Sequence, residues 1–465
     1  VTIAAPSSSP PVSTPRTAPL LVLAALALAA LSLLLPWALA FDPSAWLVWG
    51  RDTLRLALDT SPGPSWKPLP VVLTTPFALL PGAAPALWMI VARAGGLLAL
   101  AGAWALAERL AGRWAGFAAA ATMALSPWWL FNTALGNSEG LLAASVVWAL
   151  VAHLEGRTRT AVVLGTAAGL LRPEVWPFLG LYGLWLWFRD PAARPVLLGC
   201  GVLVPLLWFG PDAIGAGGAL GASKAARGTP SPGSAGLESV PALALLRDTV
   251  DMVTWPALVA AALATILGPR AATGRGGDAR TAGRTIRFLA AGAAGWVAIV
   301  ALMTQAGYAG NPRYLVAAAA IACALAGVGA VSLARRTAPG GAPLGAAVLL
   351  AAVVAASLGT LRGQADQLTD RPKAAASFHD VVAAAGGREA IVRCGALRSG
   401  VGARSFVAWE LDVPMRDLGA RPSSPGVVIR ARSFYGNALE PALAHGHRVL
   451  AQDFHWQVVS LGCSG

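Results

Sequence analysis

The chain has 465 residues, 56% of them hydrophobic and only 12% charged, and its mean hydropathy is +0.62. Soluble globular chains carry about 25% charged residues, so a large soluble domain is excluded and a polytopic membrane protein is indicated. The net charge of +13 is carried almost entirely by Arg. Arg-rich cytoplasmic loops explain it, and no nucleic-acid partner is expected. Usage rich in Ala, Gly and Arg fits a GC-rich bacterial genome.

Residues 1–17 are rich in Pro, Ser and Thr, with Arg16 as their one charge. They hold too little apolar surface to bury and are expected to form a disordered cytoplasmic N-terminus. A charge-free run from Thr17 to Phe41 follows, long enough to cross a bilayer. Ala38-Leu39-Ala40 has the small-x-small form of a cleavage site, but the run exceeds a signal h-region and lacks a basic flank. An uncleaved helix is expected.

Further charge-free runs predict helices near 18–39, 83–107, 113–128, 138–153, 160–172, 175–188, 195–210, 251–268, 288–304, 313–333 and 343–360, about eleven in all. The even-numbered gaps carry Arg109 and Arg113, Arg157 and Arg159, Arg189 and Arg194, then Arg270 to Arg287, then Arg335 and Arg336. That bias places the N-terminus in the cytoplasm and, with an odd helix count, the C-terminus outside. The expected protein is therefore a multi-pass protein of the cell membrane, all-α over 18–361, with external loops at 40–82 and 211–250. No repeat of 20–50 residues is evident, nor an inverted duplication of broken helices.

Residues 362–465 change character. Short apolar or alternating runs at Ala390–Val392, Ser405–Trp409, Gly426–Ile429 and Arg448–Leu450, separated by turn residues, suggest a small α/β extracytoplasmic domain. Cys394 and Cys463 lie here; a disulfide and two buried thiols are both open readings. His445, His447 and His455 do not share one helical face, and no cysteine has zinc-site spacing.

The loop after the first helix carries the chemistry. Phe41-Asp42-Pro43-Ser44-Ala45-Trp46 leads, through a helix expected at 43–58, to Ser65-Trp66-Lys67-Pro68. A carboxylate at the membrane surface can deprotonate an acceptor hydroxyl, while nearby cations hold a lipid phosphate. Asp42 is the leading base, although Asp-Pro also opens helices as a cap. Asp52 is a second candidate, with a solvated face beside Arg51 and Arg55 as its alternative. Glu139 opens an external helix in Gly136-Asn137-Ser138-Glu139-Gly140, where a carboxylate also suits the helix dipole.

Val91-Ala92-Arg93-Ala94-Gly95-Gly96, Ser126-Pro127-Trp128, Leu171-Arg172-Pro173-Glu174 and Asn311-Pro312-Arg313-Tyr314-Leu315 complete the pattern, with Leu106 to Arg113 forming a cytoplasmic turn. In order and sidedness, 18–335 resembles the GT-C superfamily of integral-membrane glycosyltransferases, its ArnT/PMT-like branch in particular. The resemblance implies an inverting transfer from a polyprenyl-phosphate sugar to a glycan or lipid acceptor of the cell envelope, outside the membrane. Many such proteins have two adjacent acidic residues in the first loop; here Asp42 precedes Pro43. That leaves the base to be chosen between Asp42 and Asp52, and a divalent cation open. No other cofactor is expected.

Substrate-binding roles are expected for Trp46, Trp49, Trp66, Lys67, Arg93, Asn137, Arg172, Glu174, Arg313 and Tyr314. An Arg inside a membrane helix, as at Arg93, is costly and needs a partner or a polar cavity. Lys67 and Arg313 have headgroup snorkelling as their alternative, and Arg172 has pairing with Glu174. Arabinose and mannose are the first donors to test in an actinobacteria-like organism. The competing functions are a flippase or transporter for a lipid-linked glycan and a non-catalytic envelope assembly protein.

Overall fold

The computed structural model describes residues 17–463 apart from 216, 222–223, 225–226, 228–232, 272–278, 433–437 and 444–446. The N-terminal segment before Thr17, and His445, lie outside the described residues. The chain is mostly helical, with one small sheet near its C-terminus.

Helix α1 (Thr17–Leu31) closes in a 3-10 turn at Ser32–Leu34. It stops short of the expected residue 39 because Pro36 lacks the N–H that the helical ladder needs. The expected loop 40–82 is largely helical: α2 (Phe41–Leu54) and α3 (Pro68–Phe77) occupy it. Next come α4 (Ala84–Ala111), α5 (Arg113–Ala124), α6 (Pro127–Ala134), α7 (Glu139–Leu154), α8 (Thr158–Gly169), α9 (Trp176–Arg189) and α10 (Arg194–Gly215). The helix expected at 251–268 is instead a bent pair, α11 (Pro241–Val253) and α12 (Trp255–Ala271), meeting at 94° around Thr254. Part of the expected loop 211–250 is thus helix. Then follow α13 (Ala279–Gln305), α14 (Val316–Thr337) and α15 (Ala342–Ala384).

Among the described residues, five helical stretches are long and apolar enough to cross a membrane, or six if the bent pair is one span. The expected count of eleven is not reached on length and apolarity, because α1, α5, α7, α8 and α9 are shorter than a span needs. The centre of the bundle is α14, with 89% of its apolar window buried. Its small residues permit this. A Cβ on Gly329 would lie 1.8 Å from the carbonyl oxygen of Ala260 on α12, the close approach that small residues allow between membrane helices.

Helix α15 runs for 43 residues, so the boundary placed at 361/362 falls inside a helix. Its far end packs on the C-terminal sheet. Of the short runs expected there, Ala390–Val392 lies in α16 (Gly387–Arg393) and Ser405–Trp409 in α17 (Arg404–Glu410). The other two are strands. The sheet comprises β1 (Ala396–Ser399), β2 (Leu418–Gly419), β3 (Gly426–Arg432), β4 (Leu439–Glu440), β5 (Arg448–Gln452) and β6 (Trp456–Leu461). Its order is β2-β1-β3-β6-β5, with β4 also on β3. Strand β1 is parallel to β2 and β3, whereas β6 is antiparallel to β3 and β5. Phe378 of α15 plugs the inner face, with ring centroids 4.9 Å from Trp456 and 5.2 Å from Phe406. Cys394 and Cys463 form a disulfide with Cα atoms 5.8 Å apart, tying the end of α16 to the end of β6.

This domain grips α2. Ser405 Oγ donates to the carbonyl of Phe41 at 2.7 Å. Arg51 donates to Asp412 Oδ1 at 2.9 Å and to the Val413 carbonyl at 2.8 Å. Helix α2 is therefore fixed from the bundle side by α3 and from the other side by α17. Its first turn carries Asp42.

Candidate active site

Four chain segments converge at the start of α2. Asp42 sits in the first turn of α2, whose N-cap is Ala40; its side chain is not spent on capping. Lys67 immediately precedes α3. Glu139 opens α7. Arg172 leads into the 3-10 turn Pro173–Val175, and Arg313 lies in the 3-10 turn Pro312–Leu315 ahead of α14.

The five charges interlock. Asp42 Oδ2 is 2.9 Å from Arg313 Nη1 and 3.9 Å from Lys67 Nζ. Lys67 Nζ is 3.7 Å from Glu139 Oε1, which also accepts from Arg172 Nη2 at 2.9 Å. Lys67 also donates to Ser138 Oγ at 3.2 Å. Ser138 stands at the N-cap of α7 but its side chain makes no capping hydrogen bond; it serves the lysine instead. Asp42, Lys67, Glu139 and Arg172 are all buried. Buried charges are tolerable only when so paired.

Three cations face two carboxylates in this group, leaving one positive charge in excess. Nε of Arg313 is buried with no hydrogen-bond partner among the described residues. The guanidinium therefore keeps a donor in reserve, which an anion would satisfy. Burial, more than the neighbouring Arg172 guanidinium, pushes the Lys67 ammonium down to about 8. The geometry of the group depends on close backbone packing: a Cβ on Gly140 would lie 2.6 Å from the amide nitrogen of Gly96 on α4.

Asp42 and Arg313 also line a cavity of about 900 Å³. Asn137, Trp128 and Asn132 are part of its wall, and Arg432 and His455 of the C-terminal domain close it from the other side. That size is ample for a small polar ligand together with part of a second one.

Tyr314 and Trp46 join the group as aromatic floor. Arg172 Cζ lies 4.3 Å from the centroid of the Tyr314 ring, and Lys67 Nζ lies 5.1 Å from that of Trp46. Glu174 is buried two positions beyond Arg172, but Arg172 pairs with Glu139 rather than with it.

Four expected residues stand apart. Asp52 lies ten positions after Asp42, about 15 Å along the helix at 1.5 Å per residue. It pairs with Arg51 at 3.2 Å, and burial holds its carboxyl above the usual range against the pull of Arg51. It belongs to the seam with the C-terminal domain. Trp49 donates to the Asp59 carbonyl and Trp66 to the Leu207 carbonyl, each at 3.0 Å, and both rings are core. They are not an open platform.

Arg93 is the fourth. It donates to Ser32 O at 2.9 Å, Ser32 Oγ at 2.8 Å and Ala134 O at 3.2 Å. It ties the ends of α1 and α6 to α4. Arg93→Ala should destabilise the protein by about 1–3 kcal/mol, because buried carbonyls lose their donor. Thermal denaturation in detergent reads the loss, and affinity for an anionic lipid should stay as in the wild type.

Sequence reasoning did not single out Asn132, nor Ser138 as a partner of Lys67. Asn132 had a signal: an Asn inside an apolar helix, five residues before Asn137. Among the described residues, no three His, Cys, Asp or Glu side chains are grouped to hold a metal ion.

No protein-family model matches the chain, and no curated protein does. Two solved structures are similar over nearly the whole length. ArnT from Cupriavidus metallidurans bound to undecaprenyl phosphate is 15% identical, with 96% of this chain and 98% of that chain covered and a TM-score of 0.56. The same protein in its apo state is 13% identical over the same shares, with a TM-score of 0.59.

Proposed function

On the premise of a GT-C fold of the ArnT type, we propose that this chain is a membrane glycosyltransferase that takes a sugar from a polyprenyl-phosphate donor. The acceptor is a cell-envelope glycan or lipid, and the transfer takes place on the extracytoplasmic side with inversion at the anomeric carbon. The observation that carries the reading is the cation-rich group of the buried Lys67 and Arg172 and the partly exposed Arg313, directly beside a carboxylate that lines a cavity. The undecaprenyl phosphate bound by the solved relative of this fold supports the lipid class.

The division of labour follows from charge. The acceptor oxygen attacks the anomeric carbon, and its proton passes to Asp42. The bond from that carbon to the phosphate oxygen breaks, and its electron pair stays on the phosphate. That group leaves as an anion, so it needs cations and donors rather than an acid. Arg313 and Arg172 offer guanidinium forks, and Lys67 adds a point charge. Glu139 orients Lys67 and Arg172. The polar wall from the C-terminal domain lies on the acceptor's side. An extracytoplasmic place for that domain fits its disulfide, since such bonds persist in oxidising compartments.

The test is transfer from undecaprenyl-phosphate mannose and arabinose to envelope acceptors, with cysteine labelling of the 55–65 loop in intact cells. Transfer with external labelling supports the reading. A cytosolic loop, or transfer by no donor at all, removes it.

A pH dependence follows from Lys67. Above about 8 the side chain loses its proton, the excess positive charge disappears, and affinity for undecaprenyl phosphate should fall as pH rises from 7.5 to 9. Lys67→Arg keeps its charge throughout that window and should flatten the profile. Equal slopes in both proteins would exclude Lys67 as a ligand of the phosphate.

A further inference from the structure

Three buried polar side chains that carry no charge line the cavity that Asp42 and Arg313 also line. Trp128 opens α6, and Asn132 is one turn further on its same face, at i, i+4. Asn137 follows in the turn before α7. Trp128 is 4% exposed, Asn132 9% and Asn137 6%, and all three line the cavity that Asp42 and Arg313 line.

Their hydrogen bonds form a chain with two loose ends. Asn132 Nδ2 donates to the Trp128 carbonyl at 2.7 Å. Asn137 Nδ2 donates to Asn132 Oδ1 at 3.0 Å. These two bonds fix which way each amide points. What remains is Asn137 Oδ1, an acceptor, and Trp128 Nε1, a donor. Both atoms are buried with no partner among the described residues. A buried polar atom without a partner is costly and calls for an explanation. Two such atoms, opposite in kind and on residues that line one cavity, call for a ligand that offers both a donor and an acceptor.

A hydroxyl does so. Asn137 immediately precedes Ser138 and Glu139, the partners of Lys67 and Arg172 on the phosphate side. It is also in the wall shared with Asp42. A group attached to a phosphate held by Arg313 would enter the cavity that these residues line. The three side chains bring no charge, so they themselves match hydroxyls.

We infer that Trp128, Asn132 and Asn137 form the subsite that reads the hydroxyls of the transferred sugar. Trp128 and Asn137 touch the sugar; Asn132 positions Asn137. This rests on the polyprenyl-phosphate reading above and names the part of the donor that the cations do not hold.

The experiment compares affinities of the purified full chain in nanodiscs for undecaprenyl phosphate and for undecaprenyl phosphate bearing arabinose, mannose or glucose. In the wild type at least one glycosylated lipid should bind tenfold or more tighter than the bare lipid. Trp128→Phe keeps an aromatic ring but removes the pyrrole half of the indole together with its N–H, so thermal denaturation is measured beside binding to show that the variant folds. It and Asn137→Ala should each weaken the glycosylated lipid about three- to tenfold, the worth of one neutral hydrogen bond, and leave the bare lipid unchanged. Equal affinity of glycosylated and bare lipids in the wild type overturns the inference. So does an equal loss for both lipids in Trp128→Phe. Failure of bare undecaprenyl phosphate to bind overturns the donor reading itself, and this inference with it.

Discussion

Asp42→Asn should lower the turnover number by about 10²- to 10⁴-fold, the usual worth of a positioned general base. The amide is the same size, so α2 and its seam with the C-terminal domain should stay in place. Binding gives the second readout. Asp42 neutralises part of Arg313 and Lys67, so removing its charge raises the positive excess around the phosphate. Donor affinity should therefore hold or tighten while turnover collapses. A merely structural Asp42 would lose both together. A variant that turns over within tenfold of the wild type would remove the residue from the chemistry.

Glu139→Gln should produce the largest loss of stability of any single change in the site. Glu139 is 1% exposed and answers both Lys67 and Arg172. Removing one partner of such a buried group costs about 3–5 kcal/mol, because the opposing charge is left uncompensated. The same variant carries two excess cations instead of one, so undecaprenyl phosphate should restore more stability to it than to the wild type. Thermal denaturation with and without the lipid reads both effects. An unchanged midpoint would show that Glu139 is not the keystone of the cluster.

The residues of the cluster were legible in the sequence for a simple reason. In a chain with 12% charged residues, a charge at the end of an apolar run stands out. Asp42, Lys67, Glu139, Arg172 and Arg313 each sit at such an end, and the charge bias of the loops assigned all of them to one side. What the sequence could not show is which of them meet. Arg172 stood beside Glu174 in the chain and yet pairs with Glu139, 33 positions away. Asp52, within a helix, and Arg93, inside an apolar one, stood out as charges too and are used for packing. An ion pair and a run of carbonyls satisfy them, and linear spacing carries no trace of those partners.

The architecture was legible at the level of long apolar stretches. Helix α4, expected at 83–107, runs over Ala84–Ala111. Short helices were not. Helices α3 and α6 are 10 and 8 residues long, too short to give a periodic signal, and each begins with a proline that reads equally well as a loop. The bend at Thr254 escaped because Arg247, Asp248 and Asp251 make the residues before it read as loop rather than as the first arm of a bent helix. The long run of α15 past residue 361 escaped for the opposite reason. Its polar second half looks like the start of a soluble domain, although the helical backbone continues because its inner face packs on Trp456 and the sheet.

The most direct test of the account is a comparison of two lipids that differ only in the phosphate. Affinities of the purified protein for undecaprenyl phosphate and undecaprenol would be measured side by side, in the wild type and in Arg313→Ala. If Arg313, Arg172 and Lys67 are built to hold the donor's phosphate, the phosphate form should bind about 100-fold tighter, the worth of one or two charge-assisted hydrogen bonds, and Arg313→Ala should erase most of that margin. Equal binding of the alcohol and the phosphate in the wild type would contradict the account at its root.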